Sequence, residues 1–208
     1  DGIDNDGAAR PAVAILGGVL FGSGSDVFNM SAGIMLGDVA FNGGADTFNI
    51  SGGAVFTGRV TDTNNSLLLN VGDGEFNLTG GTVNIATATF GADSTLGVAL
   101  TTDADSARIV SSGSITFIDG AFVNAIVPEG LPEVGQTIFL TASGGLVGGA
   151  LVERDITGAG APFIYNMEIA IAASDVNSLE ARYQLKDEAQ LGLTGNQAVA
   201  YDPIVAAL

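Results

Sequence analysis

The chain of 208 residues contains no cysteine, no histidine and no tryptophan. Disulfides, thiol nucleophiles, His-based triads and the usual zinc and copper sites are therefore excluded together. The missing cysteine does not fix a compartment, because a long repetitive scaffold is stable without covalent staples. Positive charge is also scarce: 6 Lys plus Arg stand against 23 Asp plus Glu, a formal net charge of −17, and Lys186 is the single lysine. Phosphate neutralisation needs clustered basic side chains, so nucleic acid is not expected as a partner and anionic headgroups repel the chain. Charged residues reach only 14%, against about 25% in an average soluble protein. Long apolar runs are missing too. The run "PAVAILGGVLF" is about half the length a membrane helix requires, and the polar, acidic start "DGIDNDGAAR" does not read as a signal peptide. The expectation is a fragment or processed product of a longer polypeptide.

What the chain has is glycine, 31 residues of it, and an apolar fraction of 47%, enough for a continuous core. A phrase also recurs: "FNMSAG" from Phe28, "FNISGG" from Phe48 and "FNLTGG" from Phe76. Matching turns, "GSGSD" and "GGAD", precede the first two copies, with Asp26 and Asp46 two residues before the Phe. A weaker copy, "NSLLLNVGDG", lies between the second and third. A step of about twenty residues suits one turn of a solenoid. Within each copy the alternation is that of a strand, with Thr47 and Asn49 facing out and Phe48 and Ile50 facing in. The glycines that follow break the strand and permit a corner.

Such a turn cannot bury its own apolar face, but a stack of turns can. The pattern predicts an all-β fold, a parallel β-helix. Phe28, Phe48 and Phe76 are expected as one interior aromatic column, Met30, Ile50 and Leu78 as an aliphatic column, and Asn29, Asn49 and Asn77 as an amide ladder along the axis. Turns of this kind are expected over residues 1–88. Strands continue without the phrase over residues 89–186, which predicts a C-terminal β cap of closing turns or a small lid, because an uncapped solenoid exposes strand edges. Residues 187–208 are expected as a helical tail, with Thr194 and Gln197 at capping-box spacing and Pro203 restarting a helix. The apolar first turn in "PAVAILGGVLF" would need a preceding turn or another copy of the chain to cover it, which predicts lateral or end-to-end self-association.

The glycine and Asp turns, the stretch "LPEVGQTIFLTASGGLVGG" and the tail "KDEAQLGLTGNQAVAYDPIVAAL", taken in that order, resemble the C-terminal end of a type V autotransporter passenger from a Gram-negative bacterium. The middle stretch is similar to the autochaperone region that caps the passenger, and the tail to the linker before the translocator barrel. The resemblance implies a right-handed parallel β-helix, exported to the cell surface or released, with terminal turns that fold first and template the rest. It also implies an outer-membrane barrel in the same polypeptide beyond the tail, and a host or cell-surface ligand for an adhesin.

Chemistry has few footholds. "GSGSDVF" matches the calcium-binding nonapeptide roll except at its first glycine, but that roll repeats every nine residues, and here the copies are twenty apart. Asp26 and Asp46 therefore either cap turns or share one loosely held calcium ion, the sole cofactor considered. "DGIDNDG" lacks the acids that an EF-hand loop needs, with Ile3 and Ala12 at two ligand positions. The pairs Asp103 with Asp105 and Asp73 with Glu75 lack the flanking aromatics of a glycosidase, since Tyr165, Tyr183 and Tyr201 are all distant in sequence. No catalytic residue is assigned, and the chain is expected to be a structural and interaction module rather than an enzyme. The alternatives are the stem of a secreted hydrolase whose catalytic turns lie upstream, and a calcium-stabilised sheath or filament subunit.

Overall fold

The computed structural model describes residues 14–100, 106–126, 134–148, 154–155 and 165–205. Short strands of alternating apolar and polar residues, each ended by a glycine or small polar corner, wind into successive turns of three strands. The first turn comprises β1 (Ala14–Leu16), β2 (Val19–Leu20) and β3 (Val27–Met30), and the second β4 (Ile34–Leu36), β5 (Val39–Phe41) and β6 (Thr47–Ile50). Then follow β7 (Val55–Gly58), β8 (Val60–Asp62) and β9 (Leu68–Val71), and next β10 (Glu75–Leu78), β11 (Thr82–Ile85) and β12 (Thr87–Phe90). The last two turns are β13 (Thr95–Ala99), β14 (Arg108–Ser111) and β15 (Ile115–Phe117), then β16 (Phe122–Ile126), β17 (Val134–Ala142) and β18 (Leu146–Val147).

Stacking the turns creates three walls of parallel strands. One six-stranded wall runs β1-β4-β7-β10-β13-β16, and a second runs β3-β6-β9-β12-β15-β18. The third is split between β8 and β11, giving β2-β5-β8 and a sheet that begins β11-β14-β17. The fold is a parallel β-helix. Parallel ladders cross residues 88 and 89 unbroken, as in the pairing of β12 with β15 and of β10 with β13. The change of architecture comes at β17 instead, whose far edge pairs antiparallel with β21 (Asp175–Leu185), followed by β20 (Tyr165–Ala172) and β19 (Arg154–Asp155). A bulge between Ile138 and Leu140 lies beside Phe139, which is fully buried. Met167, Ile169, Leu179, Ala181 and Tyr183 of the hairpin join the same core as the turns, so the cap and the helix share one hydrophobic interior.

The register corrects the expected columns. Phe28 pairs with Phe48, but the next partner of Phe48 is Leu69, from the weak copy "NSLLLNVGDG". Phe76 lies on a different wall, in register with Phe56. Met30 and Ile50 are continued by Val71 and not by Leu78, and Asn29 and Asn49 by Asn70 and not by Asn77. The amide ladder itself forms on the outer face: Asn49 Nδ2 donates to Asn29 Oδ1 at 2.7 Å, and Asn70 Nδ2 to Asn49 Oδ1 at 2.9 Å. Asn77 instead donates to Glu75 Oε2 on its own strand.

The physical reason is that phenylalanines from all three walls meet at the axis. Phe28 and Phe48 stack at 5.0 Å between centroids and Phe56 and Phe76 at 5.3 Å, while Phe48 meets Phe56 edge-on at 5.3 Å and Phe76 at 6.1 Å. Edge-to-face and offset contacts of this kind are the favoured arrangements of aromatic quadrupoles. With Phe56 and Phe76 packed against Phe48 from another wall, the buried Leu69 takes the next position of the Phe48 column.

The tail forms one helix, α1 (Asn196–Val205), which runs through Pro203 without restarting. A proline in this last turn forfeits only the bond to the Val199 carbonyl, where the helix is already ending. Its first turn is closed by main-chain bonds, from Gln197 N–H to the Thr194 carbonyl and from Val199 N–H to the Gly195 carbonyl. Tyr201 ties the helix back to the cap by donating to the Lys186 carbonyl at 2.6 Å.

Candidate functional site

Two features stand out from the regular stack: the corner that holds Asp26 and Asp46, and the end formed by the first turn. The corner joins the split wall to the wall of the amide ladder. In the first two turns it starts after Phe21 or Phe41, stacked 4.9 Å apart, and closes on Asp26 or Asp46. The two acids come together as their spacing predicts. Asp26 N–H donates to Asp46 Oδ1 at 2.8 Å, while the Asp26 carbonyl accepts from Thr47 and the Asp46 carbonyl from Leu68. Asp46 is fully buried. Oδ2 of each acid is buried as well, and neither has a hydrogen-bond partner among the described residues.

In the third turn the corner is built the other way round. Asp62 takes the interior position in register with Phe41, and Leu67 stands where Asp46 stood. The Asp62 carboxylate folds over the corner and accepts from the N–H groups of Asn64, Ser66 and Leu67, at 3.2, 2.6 and 2.8 Å. Asn65 bends the chain here with a φ of 61°. Asp62 lies outside the repeated phrase and its turns, which do not mark it. Its signal was present in "DTNNS", an acid followed by residues that tolerate the left-handed region, which is an Asx-type cap.

Among the described residues, β1, β2 and β3 of the first turn are the edge strands of their walls. Leu16 and Leu20 are each 75% exposed and Val27 60%, and Ile34 and Leu36 extend the apolar surface onto the second turn. Phe21 and Phe28 are only partly buried, whereas Phe41 and Phe48 one turn further are sealed. Beside this end a shallow groove of about 420 Å³ crosses the split wall between Leu20, Ala40 and Thr61, with Asp38 and Arg59 at its rim. Asp38 Oδ1 accepts from Arg59 N–H, so it holds two turns together.

No family model, curated protein or solved structure matches this chain. Of the acids considered for glycoside chemistry, Asp73 and Glu75 are both exposed, and Asp73 Oδ1 accepts from Gly52 N–H at 2.6 Å as a corner cap. Asp103 and Asp105, like the acidic run "DGIDNDG", lie outside the described residues. Tyr165 and Tyr183 contact each other edge-on in the cap. Among the described residues, no three His, Cys, Asp or Glu side chains gather in a way that could hold a metal, and no helix is long and apolar enough to cross a membrane.

The cap carries its own polar cluster. On β21, Arg182 donates through Nε and Nη2 to Glu180 Oε1, both at 2.7 Å, and lies 3.7 Å from Glu168 on β20. The Glu180 hydrogen bond, aided by the charges of Glu180 and Glu168, holds the Arg182 guanidinium above its ordinary pKa. It therefore stays charged at any pH the fold meets. At the hairpin turn, Ser178 Oγ and Asn177 N–H both donate to the Asp175 carboxylate, at 2.7 and 3.0 Å, and hold its pKa below the usual aspartate value.

Proposed function

We propose that this chain is a structural and interaction module, the capped stem of an autotransporter-type surface protein. The observation that carries this reading is the difference between the two ends. At one end an antiparallel hairpin covers β17 and shares the core. At the other, among the described residues, β1, β2 and β3 each keep a free parallel edge, and the inward-facing Phe21 and Phe28 lack the cover that seals Phe41 and Phe48 one turn further. A stack built this way grows in one direction only, as a stem must if a distal part is to be held away from a membrane. The hairpin supplies the first folded surface, and each turn templates the one before it.

The same asymmetry governs self-association. Head-to-tail stacking needs three free parallel edges at the far end, and there the outer edge of β17 is occupied by β21. In our reading the open end takes either a preceding turn or the open end of a second copy, related by a twofold axis. Light scattering on the isolated chain is expected to show dimers without longer polymers. Protease added to intact source cells tests the surface location: the reading requires digestion from outside, and protection that is lost on lysis would overturn it.

A further inference from the structure

Asp26 Oδ2 and Asp46 Oδ2 are buried acceptors that no protein donor reaches among the described residues. A buried polar atom in this condition loses its hydration without replacement unless a bound water or ion takes the place of the missing donor. Asp46 is fully buried, and its Oδ1 is already committed to Asp26 N–H. That bond aims the Asp46 carboxyl along the stack towards the turn of Asp26. The two unpartnered oxygens thus belong to like-charged groups at one corner of adjacent turns, and neighbouring strands in a sheet lie only about 4.8 Å apart. The next turn shows that this corner can satisfy an acid when it is built to. Asp62 uses both carboxylate oxygens on three N–H groups of its own loop.

We propose that Asp26 and Asp46 jointly hold a divalent cation, with calcium as the chemical fit. A cation shared by the two Oδ2 atoms neutralises the pair and clamps the first turn to the second. Calcium accepts carboxylate, carbonyl and water oxygens in irregular geometry, whereas magnesium demands a near-ideal octahedron and gives up its water reluctantly. Among the described residues no third acid joins the pair, so carbonyl oxygens and water complete the shell. So few protein charges place the affinity with the weak extracellular sites, at about 10⁻⁴ to 10⁻³ M. The proposal concerns this corner alone and stands whether or not the chain is a passenger stem.

Thermal unfolding of the full chain, in about 10 mM calcium chloride and again in chelator at matched ionic strength, tests it. Calcium well above its dissociation constant should raise the midpoint by about 3–10 °C. Asp46→Asn should abolish the shift, and Asp119→Asn, which removes an exposed acid elsewhere, should preserve it. Should Asp46→Asn fail to fold, Asp26→Asn gives the same comparison. Calorimetric titration of the unaltered chain with calcium chloride should show a single weak site. No midpoint shift, no binding heat, or an equal shift in Asp46→Asn and the parent overturns the proposal. The last result would mean that calcium merely screens the chain's negative charge.

Discussion

In the parallel body Asn49 meets Asn29 across 20 residues of chain and Asn70 meets Asn49 across 21, whereas in the cap Ala172 and Asp175 face each other over the two residues 173 and 174. Both arrangements cover a strand edge, but they do so at different entropic cost. By the logarithmic loop-closure law, bringing together residues twenty apart costs about 1.7 kcal/mol more than bringing together residues three apart. An isolated turn also gains little, because its apolar face is buried only when the neighbouring turn is present. The hairpin β20–β21 can therefore form first and offer an edge to β17, after which each added turn meets a ready surface. The regular turns are suited to propagation and the irregular cap to initiation.

The sharpest way to break this comparison is to weaken each region and ask which rate responds. Phe48 contacts the rings of Phe28, Phe41, Phe56 and Phe76 and is fully buried. Phe48→Ala should cost about 3–5 kcal/mol, the usual range for a deleted core aromatic. If the body folds after the cap, nearly all of that loss should appear as faster unfolding in stopped-flow denaturant jumps, with refolding little changed. A loss near zero would mean that the aromatic axis does not exist.

Leu179 is the counterpart in the cap, fully buried on β21 and paired with Leu140 and Ile171. Leu179→Ala should cost about 2–5 kcal/mol, somewhat less than the aromatic deletion, but should act on the other limb and slow refolding. If both substitutions act on the same limb, the division into initiating cap and propagating turns fails, even though the fold would be unchanged.

How much of this was legible beforehand follows from what a repeat encodes. Alternation and a glycine corner are needed by every strand of every wall, so the phrase marked strands reliably and the first two turns correctly. It could not say which wall a copy occupies. Phe76 carries the phrase yet lies 28 residues beyond Phe48, while the register partner Leu69 lies 21 beyond and has lost the aromatic ring. Packing between walls decides that exchange, and packing between walls leaves no periodic trace in one strand. The Asp26 and Asp46 pair was legible because its spacing equals one turn. Asp62 was not, because it reaches the equivalent corner from the opposite end of the loop. The antiparallel cap was foreseen only as a need for closure, since a strand such as β21 has the same alternation whichever direction its neighbour runs.

A smaller effect is expected at a corner. Gly53 has a φ of +70°, with open space where a Cβ would point, whereas a Cβ on Gly52 would fall 2.2 Å from the Ser31 carbonyl oxygen of the preceding turn. Gly53→Val should therefore cost about 1–3 kcal/mol from backbone strain alone. Gly52→Val adds a clash with a neighbouring turn and should cost more. Equal melting points for the two variants would show that turn-to-turn contact at the corner contributes nothing.

The smallest effect concerns pH and belongs to the cap alone. The Asp175 pKa is held down by the hydroxyl of Ser178 and the N–H of Asn177. A carboxylate with a depressed folded-state pKa contributes its stability above the unfolded-state value, near 3.9 for aspartate, and loses it as pH falls through the lower folded-state value. Asp175 is only partly buried, so solvent screens its carboxylate and the contribution is slight. It is nevertheless local to the turn that should form first. Hydrogen exchange across β20 and β21 is expected to quicken in the parent as the solution is acidified below the ordinary aspartate range, relative to the parallel strands. Asp175→Asn should remove that acid dependence. If acid instead loosens β3 and β6 before the hairpin, the first point of failure lies in the parallel body, and initiation from the cap loses its thermodynamic support.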